Sequence, residues 1–194
     1  MAEDPKNFSG VRSEGNKIFV TGNPARETKQ AFYQVMSERV RVVDEQDYRR
    51  MFPESNMAHF NQVVYKTSEG KMIEDGEVYV CRGDFIVNGQ DFTDMIPIAV
   101  RHELAEAWTY AKTGYSLSPA RRAIGNEERV QIGHGLALRA EWEYAFELGK
   151  AERYLEYIKL FAEARLSPQA ANSIIAENEG TYQLIKSRAG KRKV

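Results

Sequence analysis

Cysteine is nearly missing from this 194-residue chain, with Cys81 as its single example. No disulfide can close within one molecule, and no thiolate cluster can hold a metal there. Long apolar runs are missing as well: no window approaches the roughly 20 apolar residues that span a bilayer. The opening Met1-Ala2-Glu3-Asp4-Pro5-Lys6-Asn7 lacks the apolar core of a signal peptide. These shortages lead to the expectation of a cytoplasmic chain with no membrane segment. Excess charge of one sign is absent too, since 27 Lys and Arg stand against 28 Asp and Glu, a net charge of -1. That balance excludes binding of nucleic acid through the whole surface. No serine elbow of the GxSxG kind is present, and Gly22-Asn23-Pro24 lacks the lysine and spacing of a phosphate loop.

What is present is an ordinary globular composition, 42% hydrophobic and 28% charged, on a chain long enough to bury a core without covalent staples. The expected organisation is a flexible lead-in over 1–16, one domain over 17–186 and a basic tail over 187–194. The expected fold is α+β, a small mixed or antiparallel sheet packed against a motif-bearing helix and followed by a helical C-terminal half.

Ile18-Phe19-Val20 is a short apolar run ended by Gly22-Asn23-Pro24. Asn23 can cap a helix whose first position is Pro24 and whose apolar stripe is Ala31, Phe32, Val35 and Met36. Val40 to Val43 reads as a strand, Glu45 to Met51 as a helical turn, and Pro53 to Asn56 as a break. Asn61 to Lys66 and Glu77 to Cys81, separated by the turn signals Ser68-Glu69-Gly70 and Asp75-Gly76, suggest an antiparallel pair, which Phe85-Ile86-Val87 extends. Helical patterns follow over Phe92 to Lys112, Glu127 to Leu148, Ala151 to Arg165 and Pro168 to Lys186.

The chemistry-bearing segment is His102-Glu103-Leu104-Ala105-Glu106. Residues four apart lie on one helix face, so His102 and Glu106 can ligate one ion. Glu103 is displaced by about 100° around the axis. From there a carboxylate can take a proton from a water that a metal has acidified, and that water attacks a carbonyl carbon.

In motif and element order the chain resembles the zincin metallopeptidases over roughly residues 24 to 148. In that family an HExxH helix packs against a sheet, two histidines hold zinc and the glutamate is the general base. Here the segment is HELAE, so His102 corresponds to the first ligand, Glu103 to the base, and Glu106 stands where the second histidine would be. In the glutamate-ligand branch of that family a following helix supplies a further ligand. Glu141, in Leu138-Arg139-Ala140-Glu141-Trp142-Glu143, resembles it. The resemblance implies a metal-dependent hydrolase acting on a peptide or protein substrate.

His134 adds an observation of its own. It lies seven residues before Glu141, on the face of Val130, Ala137, Leu138 and Ala145, so both residues are expected to point inward. The expected metal set is His102 and Glu141 with either Glu106 or His134, suited to zinc and also to iron or manganese. The competing expectations are plainer. His102 forms a buried hydrogen bond with a carboxylate such as Glu141, His134 is a satisfied core histidine, and HELAE is the remnant of a motif in a zincin-like binding or regulatory protein. Trp108 and Trp142 read as core aromatics and Cys81 as a small buried hydrophobe. The tail residues Lys186, Arg188, Lys191, Arg192 and Lys193 could meet nucleic-acid phosphates, the weakest of these readings.

Overall fold

Helices begin and strands pair largely where apolar periodicity changes. The computed structural model describes residues 7–8, 11–14, 17–20, 26–51, 61–68, 72–113 and 127–191. The Asn23 cap, the break after Met51, the turn at Glu69-Gly70, the connection between the two central helices and the last three residues lie outside the described residues.

The fold is α+β. The strands among the described residues are β1 (Asn7–Phe8), β2 (Val11–Glu14), β3 (Lys17–Val20), β4 (Val40–Val43), β5 (Asn61–Ser68), β6 (Met72–Cys81), β7 (Ile86–Val87) and β8 (Gln90–Asp91). The α-helices among them are α1 (Arg26–Ser37), α2 (Glu45–Met51), α3 (Ile96–Thr113), α4 (Glu127–Glu147), α5 (Ala151–Arg165) and α6 (Pro168–Lys191). One sheet has the order β1-β2-β3-β6-β4, with β5 also on β6. Its antiparallel registers include Phe8 opposite Val11, Val11 opposite Val20, and Lys17 opposite Glu74.

The strands depart from the sequence expectations in three places. Pairing begins at Asn7 and not near Lys17. β6 runs straight through Asp75-Gly76, because a strand flanked on both edges gains ladder bonds that outweigh local turn preference. Ile86-Val87 does not extend the main sheet but pairs with Gln90-Asp91 in a separate hairpin. Its turn is Asn88-Gly89, with φ of 50° and 79°, the doubly positive conformation that asparagine and glycine tolerate best.

The chain divides into two compact units. One comprises Met1–Arg41, Gln62–Tyr79 and Glu103–Leu136. The expected stripe of α1 is its core: Ala31, Phe32, Val35 and Met36 are all buried, and the Phe32 and Trp108 rings lie 5.3 Å apart. Burial of the Phe32, Val35 and Met36 side chains contributes about 1.5–3 kcal/mol each.

The other unit comprises Val42–Asn61, Val80–His102 and Ala137–Val194. Its core is aromatic. Tyr157 stacks on Phe85 at 5.0 Å, Trp142 meets Tyr154 at 5.3 Å and Tyr182 at 5.5 Å, and all but Tyr182 of these are fully buried. α4 stops at Gly149 (φ 68°), where Gly149 N–H donates to Phe146 O at 3.1 Å and Lys150 N–H to Ala145 O at 2.9 Å, the two bonds of a Schellman end. α6 starts behind Ser167, whose Oγ accepts from Ala170 N–H, with Pro168 at the first helical position. α6 continues through Gly180 to Lys191, so Lys186, Arg188 and Lys191 stand on a helix and not in a loose tail. Among the described residues no helix is long and apolar enough to cross a membrane.

Candidate metal centre

α3 starts directly after the hairpin, through a 3-10 turn at Thr93–Met95 whose residue Asp94 is tied down by α5 and its approach. Lys150 Nζ donates to Asp94 O at 3.0 Å and to its Oδ2 at 3.1 Å, while Arg153 donates to Asp91 O at 2.9 Å. These exposed links contribute little stability singly. They do fix the start of α3 against the α4–α5 corner, two turns before His102. Met95, Ile98 and Ala99 then bury completely.

His102 is the last residue of this segment and turns toward α4. Its Nδ1 lies 2.5 Å from Glu141 Oε2, and the other oxygen of the same carboxylate accepts a hydrogen bond from the Tyr154 hydroxyl of α5. Glu141 is only 4% exposed, so both donors matter: a buried carboxylate without partners is expensive. Trp142, next to it, donates from Nε1 to Asn178 Oδ1 at 3.0 Å, which anchors α6 on the same stretch of α4.

With Nδ1 donating to Glu141, the imidazole holds its lone pair on Nε2, the arrangement seen where a carboxylate orients a metal-binding histidine. On α3 itself, ligand atoms of His102, Glu103 and Glu106 all lie within 4.8 Å of one another, and all three side chains are half-buried. The helix alone accounts for this grouping, since His102 and Glu106 are four residues apart and Glu103 and Glu106 three, the two spacings that bring helix side chains together.

The residues singled out from the sequence therefore separate into three groups. His102, Glu103 and Glu106 come together on α3. Glu141 meets His102 as expected, but as the partner of its Nδ1, outside the group whose ligand atoms lie within 4.8 Å. The plainer expectation of a His102 to Glu141 hydrogen bond is met, with the Glu141 end buried and the His102 end half-buried. His134 does not turn inward: it is exposed, as are Gly135 and Leu136 after it, whereas Ala137, Leu138 and Glu141 are buried. Equal phase around a helix does not bring equal burial along it.

One participant at the site and one further buried carboxylate escaped the sequence reading. Tyr154 recurs with Tyr157, Ile158 and Phe161 on the apolar stripe of α5, and nothing in that spacing separates a hydroxyl donor from a packing ring. Asp84, in the 3-10 turn Arg82–Phe85, is 1% exposed and sits in a short Arg-Gly-Asp-Phe segment that carries no motif. Trp108, Trp142 and Cys81 are buried, as their composition and setting suggested.

No family model matches the chain, and neither a curated protein nor a solved structure does.

Proposed function

We propose that the chain is a metal-dependent hydrolase of zincin-like chemistry, cutting peptide bonds at a centre on α3. The observation that carries this reading is the grouping of His102, Glu103 and Glu106, with the imidazole braced from behind by Glu141. One imidazole with carboxylates suits zinc and equally iron(II) or manganese(II). His102 through Nε2 and Glu106 through a carboxylate oxygen would hold the ion, and such an ion supplies Lewis acidity that makes a water acidic near neutral pH.

The protein groups have distinct tasks. Glu141 keeps Nδ1 of His102 engaged, so the ring cannot rotate without losing a buried hydrogen bond. Glu103 accepts a proton from the water as its oxygen adds to the amide carbon, then returns a proton to the leaving nitrogen as the C–N bond breaks. Glu106 in place of an imidazole brings a negative charge to the centre, which favours a harder divalent cation.

A second reading rests on the same closeness of Glu103. If all three α3 residues are ligands, no general base remains, and the chain is a metal-binding protein without turnover. Glu103→Gln separates the two. Under the hydrolase reading it abolishes metal-dependent cleavage of a casein-type substrate while bound metal stays at the level of the unaltered chain. Under the second reading the unaltered chain shows no cleavage with zinc, iron(II) or manganese(II), and the same substitution lowers metal content.

A further inference from the structure

We infer that Tyr154 is a positioning residue of the proposed metal centre, acting on His102 through Glu141; the inference rests on the metal-binding reading. The hydroxyl of Tyr154 donates to Glu141 Oε1, and His102 Nδ1 lies 2.5 Å from Oε2. A carboxylate held at one oxygen can still turn about its last carbon–carbon bond, because that torsion is broad and soft. Held at both, it has a fixed plane. The imidazole that donates to it then has a fixed direction for Nε2, and a metal ligand must be aimed within a narrow cone to bind well.

Tyr154 is itself immobilised. It is completely buried, its ring meets Trp142 edge-on at 5.3 Å, and the Tyr157 ring lies 5.8 Å away. Trp142 is in turn fixed through its indole N–H to Asn178. The orientation of one metal-binding imidazole on α3 thus depends on a hydroxyl of α5, set in an aromatic core that α4 and α6 complete. α5 has no ligand of its own in this arrangement, which is why no ligand-spacing pattern points to it.

The test uses zinc chloride and cobalt(II) chloride as probes with the full chain, its Tyr154→Phe and Glu141→Gln variants, and the double variant. Circular dichroism and a thermal scan establish a temperature at which each is folded. Removing the Tyr154 hydroxyl is expected to weaken zinc binding by about tenfold or more, in the range found for such outer partners. It is also expected to alter the visible absorption of bound cobalt, which reports ligand geometry. In the Glu141→Gln background the same change should have a much smaller effect, because the route to His102 has already been altered.

A Tyr154→Phe protein that melts at lower temperature but binds zinc as tightly as the unaltered chain, with the same cobalt spectrum, overturns the inference and makes Tyr154 a packing residue. So does full additivity in the double variant. If the unaltered, folded chain binds neither ion, the metal-binding reading fails and this inference with it.

Discussion

Two carboxylates are buried in the same unit, and they are treated oppositely. Glu141, 4% exposed, has a donor on each oxygen: His102 on one and Tyr154 on the other. Asp84, 1% exposed, has the Arg49 guanidinium 3.6 Å from Oδ1, too far for a good hydrogen bond, and a buried Oδ2 with no hydrogen-bond partner among the described residues. Burial pushes the Asp84 carboxyl above its usual range, opposed more weakly by the Arg49 charge, a hydrogen bond from the Cys81 thiol and the Arg165 charge, while the Glu45 charge adds to the rise. The lesson is that burial alone does not prepare a carboxylate for chemistry. The donors around Glu141 satisfy both its oxygens and let it orient a neighbour, whereas Asp84 is driven toward its neutral form.

The contrast breaks most visibly at His102. Replacing it with alanine leaves Glu141 Oε2 buried without its donor, and a loss of about 3 kcal/mol in urea unfolding is expected, as for a broken buried pair. An unchanged midpoint would mean that the pair is not stabilising the fold. Tyr154→Phe strips the second donor and should cost about 1–2 kcal/mol in the same measurement, with an unchanged denaturant slope.

Asp84→Asn should go the other way. At pH 7 it removes a charge that burial disfavours, and a higher midpoint in urea unfolding is expected. The pH dependence sharpens this. Because the folded-state value lies above the ordinary 3.8, the folded chain binds more protons than the unfolded chain in the interval between them. Stability contributed by neutral Asp84 is therefore complete below about pH 3.8 and is lost as pH rises through its raised value. The Asn variant should lack that component when the two unfolding free energies are subtracted across the acid range.

The smallest effect concerns Cys81, completely buried beside Asp84, whose thiol is pushed up to about 11, first by burial and then by the Asp84 charge. At pH 8 it should resist a thiol-reactive disulfide reagent in the folded chain and react at once in denaturant.

Much of the architecture was legible because it rests on local periodicity. The stripe of α1 and the extent of α5 follow from residue spacing. Where pairing partners decide, local signals misled: β6 passes through the Asp75-Gly76 turn signal, and β1 and β2 pair within the expected lead-in ahead of Lys17.

The same division holds at the site. The α3 grouping of His102, Glu103 and Glu106 is intrahelical, so spacing sufficed. The role of Glu141 depends on which nitrogen of His102 it meets, and that of Tyr154 on a hydroxyl pointing off an apolar stripe, so neither could be read from periodicity. His134 shares the phase of Glu141 and still lies exposed, because burial depends on what covers each turn.

Equilibrium dialysis of chelator-free protein against zinc, iron(II) and manganese(II), followed by elemental analysis, tests the centre most directly. The account expects about one ion per chain for the unaltered protein and a large loss of it in His102→Ala and in Glu106→Ala, both still folded. Protein that stays metal-free with all three ions, or variants that retain the ion in full, would contradict it.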